Sequence, residues 1–249
     1  MLVDKYLERI KLIKPSNADK DYLFQLQKFH LLNIPFENLD IHYGQTISLD
    51  LNDIYKKIIE DKRGGFCYEL NGLFNQLLNK LGFNSYLISA EVHIKNGDYS
   101  PIYDHLAIIV KIENEEFLVD VGFGKFTLEP LLIQLNQDII DTYGRFRFER
   151  HHSDYLRVSE VKNEVLIPQY IFTKEERKLS EFKNRCHFHQ TSKDSHFAQQ
   201  KVISMAKSNG RITLNNTQLK ITKLGKEKTI KFKEEKFEAH LLEHFNIDL

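Results

Sequence analysis

The spacing of apolar residues changes character once along the chain. Up to about residue 84 they recur three and four apart, the period of helices; beyond it they alternate or gather in short runs, the period of strands. DKYLERIKLI (4–13) has helical spacing and stops before Pro15. ADKDYLFQLQKFHLL (18–32), with Asn17 as its predicted cap, ends before Pro35. SLDLNDIYKKIIEDKRGG (48–65) predicts a third helix, with Gly64 and Gly65 past its end. A fourth begins near Phe66: Leu70, Leu73, Phe74, Leu77, Leu78 and Leu81 form one apolar face, and Gly82 follows as a C-terminal stop.

After Gly82 the pattern is β. SYLISAEVHI (85–94), DHLAIIVKI (104–112), EEFLVDVGF (115–123) and RFRFER (145–150) are predicted strands, separated by KNGDYSP and ENE turn chemistry. EVLIPQYIF (164–172) and NRCHFHQT (184–191) continue this character to about residue 191. A Ser-, Lys- and Asp-containing linker follows. GRITLNNTQLKITKL (210–224) predicts a hairpin turning at Asn215 and Asn216, and KEEKFEAHLLEHF (233–245) a closing amphipathic helix. Helices, then a sheet or barrel, then a small mixed segment make this an α+β chain.

Composition narrows the class of function. The chain has 249 residues, 41% hydrophobic and 28% charged, as in ordinary globular proteins. Lys plus Arg equals Asp plus Glu at 35 each, which argues against nucleic acid as the main partner. No apolar run is long enough for a membrane helix, and MLVDKYLERIKLIK carries charges too early for a signal peptide. Two cysteines make no disulfide framework; free thiols in a reducing cytoplasm are the expectation.

One of those cysteines stands out. In RGGFCYELNG (63–72) Cys67 falls in the first turn of the fourth helix, behind two glycines. Unpaired N–H groups and the helix dipole favour a thiolate there. The other reading is a small buried hydrophobe on the inner face of the helix. A nucleophilic thiol needs a base, and the base an orienting group. His105 opens the apolar strand DHLAIIVKI, and Asp120 sits inside FLVDVGF, where a carboxylate is costly unless paired. The short ENEE connection predicts antiparallel neighbours. A turn centred near Asn114 pairs residues summing to about 228, with His105 near Phe123 and Asp120 three positions along.

RGGFCYELNGLF, DHLAIIV and VDVGFG, in that order, together with IPFENLDIH upstream, resemble the arylamine N-acetyltransferases. The resemblance is close over residues 30–130 and looser beyond, through SHF (195–197) and GRITL (210–214). It implies a helical domain (1–84) carrying the nucleophile, a β-barrel domain (85–191) carrying His and Asp, and an α/β lid (192–249). It also implies a Cys67–His105–Asp120 triad that moves acetyl from acetyl-CoA to an arylamine, arylhydrazine or N-hydroxyarylamine through an acetyl-cysteine. Phe36 and Phe123 become an apolar wall for a flat acceptor, and Gly124 leaves room for the pantetheine arm. No metal is expected. The alternatives using the same triad are a thiol hydrolase, a transglutaminase-like enzyme and a polyketide amide synthase.

Three weaker signals remain. Glu37 and Arg63 pair and lock the loop around Cys67, or else are two solvated charges. CHFH (186–189), read as a strand, puts His187 and His189 on one face and Cys186 on the other, which suits no shared metal. KLGKEKTIKFKEEK (223–236) interleaves lysine with glutamate and reads as a solvated face, or as a patch drawing CoA phosphates.

Overall fold

The computed structural model describes residues 1–14, 17–94 and 97–249. Pro15, the expected helix stop, and residues 95–96 of the predicted KNGDYSP turn lie outside them. The first third is helical, as its spacing predicts. The helices are α1 (Val3–Ile10), α2 (Lys20–Asn33), the short α3 (Leu39–His42), α4 (Leu51–Tyr55) and α5 (Cys67–Lys80). The α2 cap is Asp19, whose carboxylate accepts the Tyr22 N–H at 2.9 Å, and not Asn17. The predicted third helix changes form midway: α4 runs into a π-helical turn over Lys56–Glu60. α5 starts where its pattern says, and it is buried almost all round, Glu69 and Asn71 included.

An eight-stranded antiparallel sheet follows, in the order β5-β4-β3-β2-β9-β8-β7-β6. Its strands are β2 (Asn84–Val92), β3 (His105–Ile112), β4 (Glu115–Val119), β5 (Leu131–Leu132), β6 (Asp138–Asp141), β7 (Gly144–Arg150), β8 (Leu156–Lys162) and β9 (Val165–Phe172). The sheet curls into a nearly closed barrel, with Leu135 bridging back to Phe148. Ala107, Ile109, Phe146, Phe148, Val158 and Phe172 fill the interior. Leu106, Ile108 and Val110 of β3 join the other core, against α5. A strand buried on both faces reads as an unbroken apolar run, which is why HLAIIV does not alternate.

The third layer is a five-stranded sheet in the order β1-β10-β11-β12-β13. It comprises β1 (Phe36–Glu37), β10 (Val202–Lys207), β11 (Gly210–Asn215), β12 (Gln218–Lys223) and β13 (Lys226–Lys231). α8 (Phe237–Phe245) buries Phe237, Leu241 and Phe245 against it. The predicted hairpin is β11–β12, with Asn215 opposite Gln218. The lysine-rich stretch contributes β13, an exposed edge strand whose charges suit an unpaired edge. Phe36 pairs with Ser204, so the sheet borrows one edge from the first third of the chain.

One expected strand is a helix. NRCHFHQT lies wholly within α6 (Lys183–Thr191), and α7 (His196–Gln199) follows. Phe182, Cys186 and His189 are buried, the i, i+4, i+7 spacing of a helical face. β-favouring side chains in a short window hid that period.

A buried group of charges ties the helical layer together. Arg63 Nη2 donates to Glu37 Oε1 at 2.8 Å and to Asp40 Oδ1 at 2.9 Å. Lys57 Nζ lies 2.6 Å from Asp40 and 3.0 Å from Glu69. Glu69 Oε2 in turn accepts the Phe66 N–H at 2.7 Å, at the entry to α5. The Glu37–Arg63 pair is therefore formed, and it joins strand β1 to the loop before Cys67. Removing one partner of a buried pair leaves the other charge uncompensated. Glu37→Ala is expected to lower the thermal midpoint by about 10 °C, from roughly 3 kcal/mol of lost stability, as followed by circular dichroism.

Candidate active site

Cys67 is the first residue of α5, with Phe66 as its extended N-cap. It lines a cavity of about 970 Å³ that also takes in His105, Gly122, Phe123 and Gly124. On the opposite side the cavity is bounded by the five-stranded sheet, through residues such as Ser204, Arg211 and Thr222. His105 opens β3, and Asp120 directly follows β4. Ile108 faces Val119, so the pairing sums to 227, one less than expected. A tighter turn after Glu113 accounts for the difference.

His105 Nε2 donates to Asp120 Oδ2 at 2.7 Å, and both residues are buried. The carboxylate takes three further donors. Tyr170 Oη reaches Oδ2 at 3.1 Å, while Asn71 Nδ2 and the Gly122 N–H both reach Oδ1 at 2.9 Å. Asn71, one turn beyond Cys67, also accepts the Val121 N–H at 2.9 Å and donates to the Leu106 carbonyl at 2.6 Å. With Nε2 engaged by Asp120, Nδ1 is the ring nitrogen left to accept a proton. The thiol itself makes no hydrogen bond to the ring among the described residues; the two groups meet through the cavity they share.

The segment Val121–Gly124 crosses close under α5. A Cβ on Gly122 would lie 2.8 Å from Cys67 Cα and 3.0 Å from its carbonyl oxygen, so only glycine fits. Gly124 adopts φ +85°, with open space where a Cβ would be. Phe123 packs edge-on to His105 with ring centroids 5.0 Å apart, and Phe36 lies 5.6 Å from Phe66 and 6.0 Å from Phe197. Both phenylalanines line the cavity and are only partly buried.

The electrostatics differ from the sequence expectation in one respect. Burial pushes the Cys67 thiol well up from its ordinary value, and the charges of Cys186, Asp104 and Asp120 add to this. The Tyr68 N–H pulls the other way. The helix terminus alone does not make a thiolate, because desolvation outweighs it.

A second network flanks the first, and nothing in the sequence pointed to it. His189 Nε2 lies 3.0 Å from Asp104 Oδ1, next to His105 in the chain, and Arg185 pairs with the same oxygen. His189 Nδ1 meets Ser195 Oγ at 3.1 Å. Tyr68, beside Cys67, donates to the Tyr103 and Asp104 carbonyls at 2.9 and 3.0 Å. The residues adjoining the thiol and the imidazole are thus tied to each other and to α6. His189, half of the dismissed CHFH pair, is a buried partner of Asp104; the only convergent metal-type group among the described residues lies elsewhere, on α8.

The family model described as N-acetyltransferase matches residues 19–249. The chain is 32% identical to an arylamine N-acetyltransferase of Gallus gallus, the pineal gland isozyme NAT-3, over 94% of this chain and 89% of that one. It is 30% identical to the arylamine N-acetyltransferase of Mycolicibacterium smegmatis, over 91% and 84%. The chain belongs to the arylamine N-acetyltransferase family. A solved M. smegmatis arylamine N-acetyltransferase superposes with a TM-score of 0.92 at 27% identity, covering 100% of this chain and 93% of that one. The α+β architecture with its barrel-like sheet is therefore that of the family's solved structures. No helix among the described residues is long and apolar enough to cross a membrane.

Two outcomes follow for the family's fold in this chain. Cys67 lines the cavity, whereas Cys186 is buried in α6 with its thiol pushed up to about 12 by burial. Limiting iodoacetamide is expected to label Cys67 first, as read by peptide mapping. Asp104 is held at about 2 by His189 and Arg185 against the cost of burial, below its unfolded value of 3.8. Its contribution to stability is present above pH 3.8 and lost as pH falls toward 2. Denaturant unfolding should show Asp104→Asn losing about 1 kcal/mol less than the parent between pH 5 and pH 3.

Proposed function

We propose that this chain transfers an acetyl group from acetyl-CoA to the nitrogen of an arylamine or arylhydrazine, or to the oxygen of an N-hydroxyarylamine, through an acetyl-cysteine at Cys67. The observation that carries the reading is the buried His105–Asp120 pair opening onto the same cavity as the thiol. A ping-pong mechanism fits it. His105 Nδ1 takes the Cys67 proton, and Asp120 holds the tautomer and the imidazolium charge. The raised thiol supports this order of events: the proton leaves only when the ring receives it, so the thiolate exists as half of an ion pair.

The sulfur then attacks the thioester carbonyl of acetyl-CoA. Backbone N–H groups at the start of α5 are suited to the oxyanion. The bond to the CoA sulfur breaks, and the CoA thiolate leaves with the imidazolium proton. In the second half the acceptor nitrogen attacks the acetyl-cysteine, His105 takes its proton, and the Cys67 thiolate is released. Phe36 and Phe123 form the apolar wall for the acceptor ring, and Gly124 keeps the approach to the thiol open for the pantetheine arm. A volume of about 970 Å³ has room for both, one after the other. The helical, barrel and lid divisions at residues 84 and 191 belong to the same reading, as does a cytoplasmic location.

Intact-mass measurement after incubation with acetyl-CoA is expected to show one added acetyl group, removed by an arylamine with formation of the acetylated amine. Loss of the acetyl group to water at the same rate without the amine would place the chain among the thiol hydrolases instead. Asp120→Asn is expected to slow acetylation by about three to four orders of magnitude. An Asn amide that donates to Nε2 forces the proton onto Nδ1, where it blocks the base. Because the amide still offers an oxygen to Asn71 and Gly122, the thermal midpoint should fall by only a few degrees. A variant that acetylates at the parent's rate would remove Asp120 from the mechanism.

A further inference from the structure

The closing helix carries a side-chain group that the acetyl-transfer site does not use. His240, Glu243 and His244 stand at i, i+3 and i+4 on α8, the spacing that brings side chains together on one face. One ring nitrogen from each histidine and a Glu243 oxygen all lie within 4.8 Å of one another. His240 Nδ1 is 3.9 Å and His244 Nε2 is 3.7 Å from Glu243 Oε2. The two imidazoles are nearly parallel, at 7°, with centroids 5.7 Å apart. His240 is fixed from behind by Phe232, whose ring centre is 4.4 Å away. Its Nδ1 is buried and has no hydrogen-bond partner, an unusual state for a buried polar atom.

Packing on Phe232 accounts for where the His240 ring sits, but not for the convergence of a second imidazole and a carboxylate on its unpartnered side. We propose that His240, Glu243 and His244 form a binding site for a divalent transition metal ion of the zinc class. Two imidazoles and one carboxylate are intermediate donors that suit Zn²⁺, Ni²⁺ or Cu²⁺, and not the all-oxygen preference of Ca²⁺ or Mg²⁺. Ligand bonds of about 2.1 Å set donor atoms roughly 3.4 Å apart around a tetrahedral ion. Closing the donors to that value takes rotation of the two imidazoles toward one another as well as of Glu243, whose side chain is 66% exposed. Water supplies the remaining coordination positions. None of the three residues lines the active-site cavity, so the inference stands apart from the proposed reaction.

Such an ion would bridge successive turns only when the helix is formed. It therefore favours the folded state of α8 and of the sheet that α8 covers. The experiment is titration of the full chain with Zn²⁺ by calorimetry, beside His244→Ala, His240→Phe and Glu243→Gln. His240→Phe keeps the stacking on Phe232, and His244 is only half-buried at the outer face of α8, so folding is retained in at least one of them. The parent is expected to bind one more Zn²⁺ than either histidine variant, with Kd on the order of 10 µM. Any zinc taken up by Cys67 is common to all and cancels in that difference. Excess Zn²⁺ should raise the parent's thermal midpoint by about 5 °C and leave the histidine variants unmoved. Equal stoichiometry in parent and both histidine variants would overturn the site. An unchanged Kd in Glu243→Gln would overturn the three-donor arrangement.

Discussion

A carboxylate inside a protein must be satisfied by donors or be expelled, and the structure is organised around one that is satisfied. Asp120 collects hydrogen bonds from Asn71 on α5, from His105 at the mouth of β3, from Tyr170 on β9 and from its own loop at Gly122. These donors lie up to 50 residues from Asp120 in the chain, on either side of it. None of them alone offsets the cost of burial, and together they are available only when the helix has docked on the barrel. The imidazole is oriented by the same event. Assembly of the fold and assembly of the site are thus one step.

The helical layer has its own buried polar group, which meets the site at the start of α5. Glu37, Asp40 and Glu69 share Lys57 and Arg63, three acids against two bases. The imbalance falls on Glu69, which burial pushes up to about 7 although Lys57 opposes it. Asp40, nearer both cations, is held down instead. The outcome is a rigid entry to the helix: the Phe66 N–H is capped by Glu69, while Glu37 takes Arg63 on one oxygen and the Leu39 N–H on the other. Cys67 is therefore presented by a fixed backbone, and Gly122 can pass beneath it at van der Waals distance.

The reactivity of the thiol rests on that geometry more than on the helix dipole. A dipole worth about 1 kcal/mol cannot outweigh removal of the sulfur from water with aspartates nearby. What the helix start provides is direction: it aims the sulfur and the free N–H groups into the same cavity that His105 enters from the other side.

Much of the site was legible in the sequence because its signals are local. Two glycines before a cysteine at the start of a helical period, a histidine opening an apolar strand and an aspartate inside another each violate a simple pattern, and the cysteine and histidine line the cavity, with the aspartate behind the histidine. The helices of the first third, β2 to β4, the β11–β12 hairpin and α8 were legible for the same reason, since their periods are set by one buried face. Long-range pairing was not. The union of β1 with β10 depends on where two segments 160 and more residues apart meet, and no periodicity in PFEN records it. α6 hid behind β-favouring residues, because His189 and Phe182, the latter just ahead of the helix, are buried through contacts with Phe66 and Tyr68. Tyr170 and Asn71 look like ordinary strand and helix residues until Asp120 is placed between them. The sequence by itself determined which groups carry the chemistry and the elements that present them; only the tertiary structure decided their partners, because hydrogen bonds to a buried charge come from residues that proximity in space, and not in sequence, selects.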